Sequence, residues 1–309
     1  MSSVFLENCV ISTRVGVCCF GGVYSGTYNG TQVVFKELRK MAADSAKLPK
    51  LSALVPKVQQ IIHPNVVQLY GLYIHDNSVY TVYKRYDGPL EKLFRNGKSS
   101  NYGLKERTHF IIDVATGMEY ITSAQSGDGT LSLRNLGYTK DSNSVITVII
   151  GGLDVSYFGN VYDTSLVRSF ARKWTSPEVA KEGDNHLKYN EKSDVWSFGV
   201  TAWEILNGGR VPFENVSTGD ILKKVEEGLR LEEPKITQLF KENGGEKLWN
   251  IIAMCFETNP EKRPTFTQIK EQLQNVYNEM KEDTKEDLKK IKEAEKVDED
   301  DEDEEEDNY

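Results

Sequence analysis

The sequence has 309 residues, of which 39% are hydrophobic and 28% charged, and its formal net charge at pH 7 is -9. These fractions are typical of a globular protein with a sizeable core, and they exclude a fibrous or wholly disordered chain. Because removal of the uninterrupted acidic run Asp298 to Asp307 changes the net charge from -9 to +1, the remainder has no basic excess, and we predict no nucleic-acid partner.

The first part of the chain has the pattern of a β-sheet. β-Branched and aromatic residues broken by glycines run from Val10 to Leu38, and Asn29-Gly30 between apolar runs predicts a hairpin. Apolar residues then recur at helical spacing from Leu48 to Ile62, with Pro56 inside the run, which predicts an imperfect amphipathic helix. Two further strands are predicted at residues 66–72 and 79–83.

The second part has longer helical periods, and turn residues Asp87-Gly88-Pro89 mark the change. Strands followed by helices predict an α+β, bilobal molecule with a small β-rich lobe at about 10–86 and a larger α-helical lobe at about 87–276. We predict one domain at 10–276, a helical extension at 277–297 and a disordered acidic tail at 298–309. The tail could dock on a basic partner, mask a basic surface of its own domain or only raise solubility.

The cysteines and the apolar runs bear on the compartment. Cys9, Cys18, Cys19 and Cys255 have no C-x-x-C spacing, which argues against zinc and against a secreted disulfide framework. The longest apolar run is far too short to span a bilayer, and the first residues do not have the pattern of a signal peptide. We therefore predict an intracellular, most simply cytoplasmic, protein without a membrane span.

Five sequence motifs follow one another in order along the chain. They are a glycine-rich turn at Val15–Val23 followed by Val33-Val34-Phe35-Lys36, then His63-Pro64-Asn65, Lys173-Trp174-Thr175-Ser176-Pro177-Glu178, Asp194-Val195-Trp196-Ser197-Phe198-Gly199 and Pro260-Glu261-Lys262-Arg263-Pro264. In kinases, a glycine-rich turn covers the ATP phosphates and a lysine on the next strand contacts them. Together the motifs resemble the protein-kinase domain, closest to its tyrosine-kinase and tyrosine-kinase-like branch.

The resemblance implies ATP as the cofactor and gives the positions of a vestigial nucleotide site. These positions are Gly16, Gly21, Val23, Val34, Lys36 and Asn135. Cys18 replaces the middle glycine of the turn, so a side chain stands where the backbone must approach phosphate closely. Tyr83 stands at the family's gatekeeper position. Gly137 stands where the family has a leucine that forms the floor of the adenine pocket. We therefore expect ATP binding to be weak or absent.

Three positions depart from the family's catalytic pattern. Thr130 stands where the catalytic aspartate is expected, and a neutral hydroxyl cannot take its role. Gly152 stands at the metal-binding aspartate and offers no ligand, so normal magnesium coordination is not expected. Leu54 stands where a helix glutamate would pair with Lys36, which leaves that lysine without an evident partner. We predict no catalytic residues and no metal site.

The residues that hold the larger lobe together in the family are retained. The resemblance implies an ion pair between Glu178 and Arg263, and a carboxylate of Asp194 that braces the catalytic-loop backbone. The combination favours a pseudokinase that acts as a signalling scaffold or allosteric interaction module. Its partners would be other proteins, among them an active kinase or signalling complex, and the sequence does not determine its oligomeric state.

Two alternatives remain open. In a divergent but active protein kinase, Asp128 or Asp154 would replace a missing carboxylate and the γ-phosphate of ATP would pass to Ser, Thr or Tyr of proteins. In a pure scaffold, the pocket would be collapsed and no nucleotide would bind.

Overall fold

The chain folds into a β-rich lobe followed by a helical lobe, which confirms the α+β bilobal prediction. The computed structural model describes residues 4–18, 21–43, 45–94, 98–124, 129, 131–152, 158, 172–181 and 190–306. Among these residues, no helix combines the length and apolar character needed to cross a membrane.

The smaller lobe is a five-stranded sheet in the order β1-β2-β3-β5-β4. Its strands are β1 (Cys9–Cys18), β2 (Gly21–Tyr28), β3 (Thr31–Ala42), β4 (Leu69–His75) and β5 (Ser78–Lys84). The predicted hairpin is confirmed, because Tyr28 pairs with Thr31 across the turn. Asn29 (φ 48°) and Gly30 (φ 77°) both adopt the left-handed conformation that a two-residue hairpin turn requires.

One helix, α1 (Leu48–Gln59), packs against this sheet and contains Pro56 as the sequence predicted. Its buried residues Leu48, Leu51, Val55 and Val58 recur at helical spacing. They join a large hydrophobic core that includes Leu72 and Val79 of the sheet and continues into the helical lobe. The apolar stripe therefore fixes the face that α1 turns to the sheet.

The helical lobe also contains a small sheet, β6-β7-β8, that borders the predicted nucleotide site. Its strands are β6 (Gly88–Pro89), β7 (Leu136–Lys140) and β8 (Ile146–Ile150). The helices are α2 (Leu104–Ala124), α3 (Pro177–Lys181), α4 (Glu191–Leu206), α5 (Ile221–Glu226), α6 (Lys235–Leu239), α7 (Gly245–Met254), α8 (Phe266–Glu279) and α9 (Lys285–Glu306). Helix α4 begins with a capping box in which Asn190 and Ser193 satisfy each other's backbone N–H groups.

The link between α8 and α9 caps the start of α2. Asp283 Oδ2 accepts hydrogen bonds from the backbone N–H groups of Lys105 (3.0 Å) and Glu106 (3.4 Å). A Cβ atom at Gly103 would lie 2.1 Å from Asp283 Cγ, so only glycine leaves room for the carboxylate. A carboxylate at a helix N-terminus satisfies free N–H groups and interacts favourably with the helix dipole.

Helix α9 is anchored to the lobe by an ion pair with a buried arginine. The side chain of Arg107 is 0% exposed, and its Nη2 lies 2.7 Å from Glu295 Oε1. Ser99 Oγ donates a 2.7 Å hydrogen bond to the other carboxylate oxygen. Ile291 is 1% exposed and adds apolar packing. The segment up to Glu295 is therefore part of the packed lobe.

The helical backbone continues further than the sequence predicted. The prediction placed the end of the extension at residue 297 and a disordered tail at 298–309, whereas α9 runs to Glu306. Glutamate is a good helix former, and adding residues to an existing helix avoids the cost of nucleation. Packing of Leu288 and Ile291 against the core supplies that existing helix.

Removal of the Glu295 carboxylate should destabilise the fold. In Glu295→Ala, the Arg107 guanidinium would stay buried without its counter-charge, and we expect the free energy of unfolding to fall by about 2 to 3 kcal/mol. Urea denaturation measures this change. The matched control is Glu293→Ala on the same helix, whose exposed pair with Lys289 (3.9 Å) should contribute less than about 0.5 kcal/mol. Equal losses in both variants would contradict the assignment of Glu295.

Candidate functional site

The predicted nucleotide-site residues of the smaller lobe lie on three adjacent strands. Gly16 of β1 is opposite Val23 of β2, and Val23 is opposite Lys36 of β3. Gly21 begins β2, opposite Cys18, so β1 and β2 stay paired up to the tip of the turn. Pairing of Val34 with Tyr83 brings the gatekeeper position beside the same group.

Lys36 contacts the aromatic ring of Tyr83. Its Nζ atom lies 4.7 Å from the ring centroid, which is a cation–π distance, and the Tyr83 side chain is 1% exposed. The sequence motifs do not predict this contact. The strand register could have indicated it, because Lys36 is opposite Thr81 and the tyrosine two residues along lies on the same face.

The ring of Tyr86 occupies the space next to Gly137. A Cβ atom placed on Gly137 would lie 2.8 Å from Tyr86 Cδ2 and 2.9 Å from Tyr86 Cε2. The resemblance assigns a leucine side chain to this position as the floor of the adenine pocket. The Tyr86 ring, from the segment that follows β5, therefore lies where the resemblance places the floor leucine.

Gly152 lies against the side chain of Asn135. Its φ of 81° is left-handed, and a Cβ atom there would lie 3.2 Å from Asn135 Cγ. The backbone N–H of Gly151 also donates a 2.8 Å hydrogen bond to the carbonyl of Asn135. The structure thus brings the predicted asparagine and the glycine of the metal position together. An aspartate at 152 would need both a strained backbone and a displaced Asn135.

Other predicted positions are only partly described. Leu54 is half-buried and packs against the main core, so helix α1 presents an apolar group there. Thr130, together with the alternative acids Asp128 and Asp154, lies outside the described residues. Gly129 is described, and its backbone N–H donates a 2.9 Å hydrogen bond to Asp194 Oδ1, as the resemblance implied for a carboxylate that braces the loop.

The described residues do not fit a nucleotide held with magnesium in the family's manner. The Tyr86 ring stands beside the expected floor of the adenine pocket, and the metal position has no carboxylate. Magnesium requires oxygen ligands in near-octahedral geometry, and Gly152 has no side chain that could provide one. The described residues therefore lack the metal-assisted phosphate contacts that catalysis in this family uses.

The predicted ion pair of the helical lobe is present. Arg263 Nη1 and Nη2 donate to the two oxygens of Glu178 at 2.7 and 2.9 Å. Burial acts to raise the pKa of Glu178, but hydrogen bonds from Arg263 and its charge outweigh burial and hold the pKa below its ordinary value. Such bidentate pairs are stronger than neutral hydrogen bonds and fix orientation.

A second buried carboxylate was not found from the sequence. Glu204 Oε2 accepts hydrogen bonds from Trp174 Nε1 (2.7 Å) and from the backbone N–H of Leu133 (3.0 Å). The guanidinium of Arg134 lies 4.6 Å from the centroid of the Trp174 ring. Burial raises the pKa of Glu204 to about 7. The sequence signal that could have revealed Glu204 is an acidic residue within the mostly apolar helix α4.

Glu204 should make stability depend on pH. Its pKa rises from 4.5 in the unfolded chain to about 7 in the fold, so the folded state retains a proton that the unfolded state loses. The stability of the wild type relative to Glu204→Gln should therefore be greatest below about pH 4.5, fall by on the order of 3 kcal/mol up to about pH 7, and then stay constant.

Urea unfolding of both proteins across this pH range tests the prediction. The glutamine keeps an oxygen that accepts from Trp174 and Leu133, and both proteins retain Arg134 and Glu91, whose charges also act on this group. If the difference in the free energy of unfolding between the two proteins stays constant from about pH 4.5 to about pH 8, the raised pKa of Glu204 is contradicted.

Comparison with known proteins agrees with this architecture. The sequence pattern of the family "Protein tyrosine and serine/threonine kinase" matches residues 9–273. Tyrosine-protein kinase Fer of Homo sapiens is 28% identical over 268 residues, which cover 86% of this chain and 31% of that protein. The transforming protein Fps of Avian sarcoma virus (strain PRCII) is 29% identical over 86% of this chain and 48% of its own length.

The Megakaryocyte-associated tyrosine-protein kinase of Rattus norvegicus is 30% identical over 87% of this chain and 53% of its own length. The chain thus spans about a third to a half of the length of these curated relatives. Since the family pattern covers nearly the whole folded body, the chain belongs to the protein tyrosine and serine/threonine kinase family, within its tyrosine-kinase branch.

Proposed function

We propose that this chain is a pseudokinase that acts as a signalling scaffold or allosteric interaction module, with weak or absent ATP binding and no phosphate transfer. The observation that carries the proposal is that two glycines stand where the family has side chains of the nucleotide site, Gly137 at the floor leucine and Gly152 at the metal-binding aspartate. The ring of Tyr86 lies beside Gly137, and the Asn135 side chain lies beside Gly152.

The chemistry of phosphoryl transfer gives the physical reason. This reaction is accelerated almost entirely by positioning and by charge stabilisation of the phosphates. Glycine at 152 provides no carboxylate for magnesium, and threonine at 130 provides no base for the attacking hydroxyl. The Lys36 ammonium, which the family uses to contact phosphate, is positioned on the Tyr83 ring. Each of these changes removes stabilisation from the same transition state.

Retention of the scaffold supports a role in interaction. The Glu178–Arg263 pair and the Asp194 contact with Gly129 keep the architecture of the helical lobe. Partners of such a module would be other proteins, among them an active kinase or a signalling complex. We also propose an intracellular location, in line with the free cysteines Cys9, Cys18 and Cys255.

A second candidate is a divergent active kinase that uses Asp128 or Asp154 in place of the missing acids. The relatives that bear the name tyrosine-protein kinase and the intact helical scaffold favour it. It requires Tyr86 to leave the space beside Gly137 and an acid to reach the metal from a shifted position.

Melting curves with ATP test nucleotide binding. At about 5 mM ATP, with or without magnesium, we expect no shift of the wild-type melting temperature, whereas a site with a dissociation constant one hundredth of that concentration would add about 2.7 kcal/mol. The double variant Tyr83→Thr/Tyr86→Ala removes both rings and should gain an ATP-dependent shift relative to its own baseline. A magnesium-dependent shift of the wild-type melting temperature would contradict weak or absent ATP binding.

Transfer of radiolabelled phosphate tests the second candidate. We expect no incorporation into the chain itself or into a mixture of Ser-, Thr- and Tyr-containing peptides, with an active tyrosine kinase as the positive control. Magnesium-dependent incorporation that is lost in Lys36→Met would establish activity and overturn the pseudokinase proposal. Any incorporation that persists in Lys36→Met would instead indicate a contaminating kinase.

A further inference from the structure

A cavity of about 350 Å³ lies where the segment between α1 and β4 meets the end of β5 and the small sheet β6-β7-β8. Ligand pockets in proteins have volumes of about 300 to 1,000 Å³, and about 150 Å³ already holds benzene. This cavity therefore has room for two fused rings and an acid group. Its lining does not include any of the six predicted nucleotide-site residues, and its apolar part is formed by Ile62, Pro64, Val66, Val67 and Ile149.

Hydrogen bonds between the two lobes fix one wall of the cavity. The backbone N–H of Val67 donates to the carbonyl of Ile150 (2.9 Å), and the N–H of Ile150 donates to the carbonyl of Asn65 (2.8 Å). The side chain of Asn65, which is 5% exposed, donates a 3.0 Å hydrogen bond to the carbonyl of Val148. The wall is thus held in place by the fold, and a preformed site spares a ligand the cost of ordering it.

Two hydroxyl groups lie side by side on another wall. Thr139 of β7 is directly opposite Thr147 of β8, and both residues line the cavity and are half-buried. Side chains directly opposite each other on neighbouring strands have Cβ atoms about 4.5 to 5.5 Å apart. Neither hydroxyl has a hydrogen-bond partner among the residues that the structure describes. Both can therefore donate to an oxygen of a ligand.

His63 adds a third donor to the lining. Its Nδ1 atom accepts a 3.1 Å hydrogen bond from the backbone N–H of Asn65, and its ring is stacked on Tyr120 with centroids 4.9 Å apart. Burial lowers the pKa of His63, so the imidazole is neutral at pH 7. In a neutral imidazole whose Nδ1 accepts, the proton is on Nε2, which can donate to a ligand.

The charged residues of the lining are Lys84 and Arg85, and none of the described lining residues is acidic. Both are exposed. Arg85 Nη1 donates a 3.0 Å hydrogen bond to Gln32 Oε1, which is a neutral amide oxygen and leaves the positive charge uncancelled. Lys84 forms no ion pair with a residue in the described ranges. The lining thus combines apolar groups with hydrogen-bond donors and positive charge.

The neighbouring acids do not alter this character. Glu119, whose charge acts on His63, is paired with Lys270. Asp87, close to Arg85 in sequence, does not line the cavity, and its Oδ2 accepts a 2.7 Å hydrogen bond from the backbone N–H of Lys140. The cavity therefore favours a negatively charged ligand.

We propose that this cavity binds a small aromatic acid, in which a carboxylate is attached to a flat apolar ring system. The rings lie against Ile62 and Ile149, and the carboxylate interacts with Lys84 and accepts from the hydroxyls of Thr139 and Thr147. The site does not depend on ATP or on phosphate transfer, so it stands whether the pseudokinase proposal holds or fails.

Isothermal titration calorimetry with naphthoate tests the site on the full chain. The controls are naphthalenemethanol, which has the same rings without the charge, and acetate, which has the charge without the rings. We expect naphthoate to bind with a dissociation constant below about 1 mM and both controls to bind at least about tenfold more weakly. ATP at about 5 mM should leave the naphthoate affinity unchanged, because the cavity lies outside the nucleotide site.

Four variants locate the binding. Thr147→Phe fills the cavity and Lys84→Glu reverses a lining charge, and each should weaken naphthoate binding at least about tenfold. Thr13→Phe on β1 and Lys50→Glu on α1 make the same changes at exposed positions away from the cavity and should leave binding unchanged. Melting curves of every variant, recorded without ligand, show that the fold is intact.

The double variant Thr139→Val/Thr147→Val separates hydrogen bonding from shape. Valine has nearly the volume of threonine and is favoured in strands, so the melting temperature should stay the same or rise. Loss of the two hydroxyl donors should weaken binding of naphthoate several-fold and leave binding of naphthalenemethanol unchanged.

Four outcomes would overturn the proposal. The first is no binding of naphthoate at about 1 mM, a concentration that detects even weak complexes. The second is equal affinity for naphthoate and naphthalenemethanol, which would remove the role of the carboxylate. The third is binding that Thr147→Phe and Lys84→Glu leave unchanged. The fourth is competition by ATP, which would assign the bound naphthoate to the nucleotide site.

Discussion

The fold depends on a buried arginine, Arg263, because its guanidinium group must have hydrogen-bond partners when it is removed from water. Arg263 is 1% exposed. It binds Glu178 at the start of α3, the backbone carbonyl of Lys192 at the start of α4 and the carbonyl of Glu257 before α8, and it lies over the Trp196 ring. Removal of one partner from such a group costs several kcal/mol. One side chain thereby fixes three segments that are far apart in sequence.

The guanidinium group of Arg107 is also fully buried and surrounded by partners. It binds the carbonyls of Tyr102, Ser99 and Leu206 as well as the carboxylate of Glu295. Together with the Asp283 cap on α2, this makes the segment after α8 a structural part of the domain. The acidic run that follows is consequently attached to a fixed helix, so its starting point on the surface is set by packing.

At three positions, a glycine leaves space that a side chain from another part of the chain occupies. At Gly103, Gly137 and Gly152, a side chain from elsewhere lies within 3.2 Å of where a Cβ atom would be. Asp283 uses the first space to cap a helix, whereas Tyr86 and Asn135 use the other two within the nucleotide site. Close packing leaves few voids in protein interiors, so a deleted side chain is replaced by a neighbour. At Gly137 and Gly152, the missing side chain of the resemblance and the neighbour that lies in its place are thus linked by packing.

The sequence by itself determined the fold class, the Asn29-Gly30 hairpin, helix α1 with Pro56, and the identities of the residues at the family's motif positions. These follow from short-range patterns, because turn chemistry and apolar periodicity act over a few residues. Only the tertiary structure decided the Lys36 contact with Tyr83, the position of the Tyr86 ring, the burial of Glu204 and the anchoring of α9 by Arg107. Each of these joins groups from different strands or helices, and local patterns carry no information on which distant side chain fills a space or meets a buried charge.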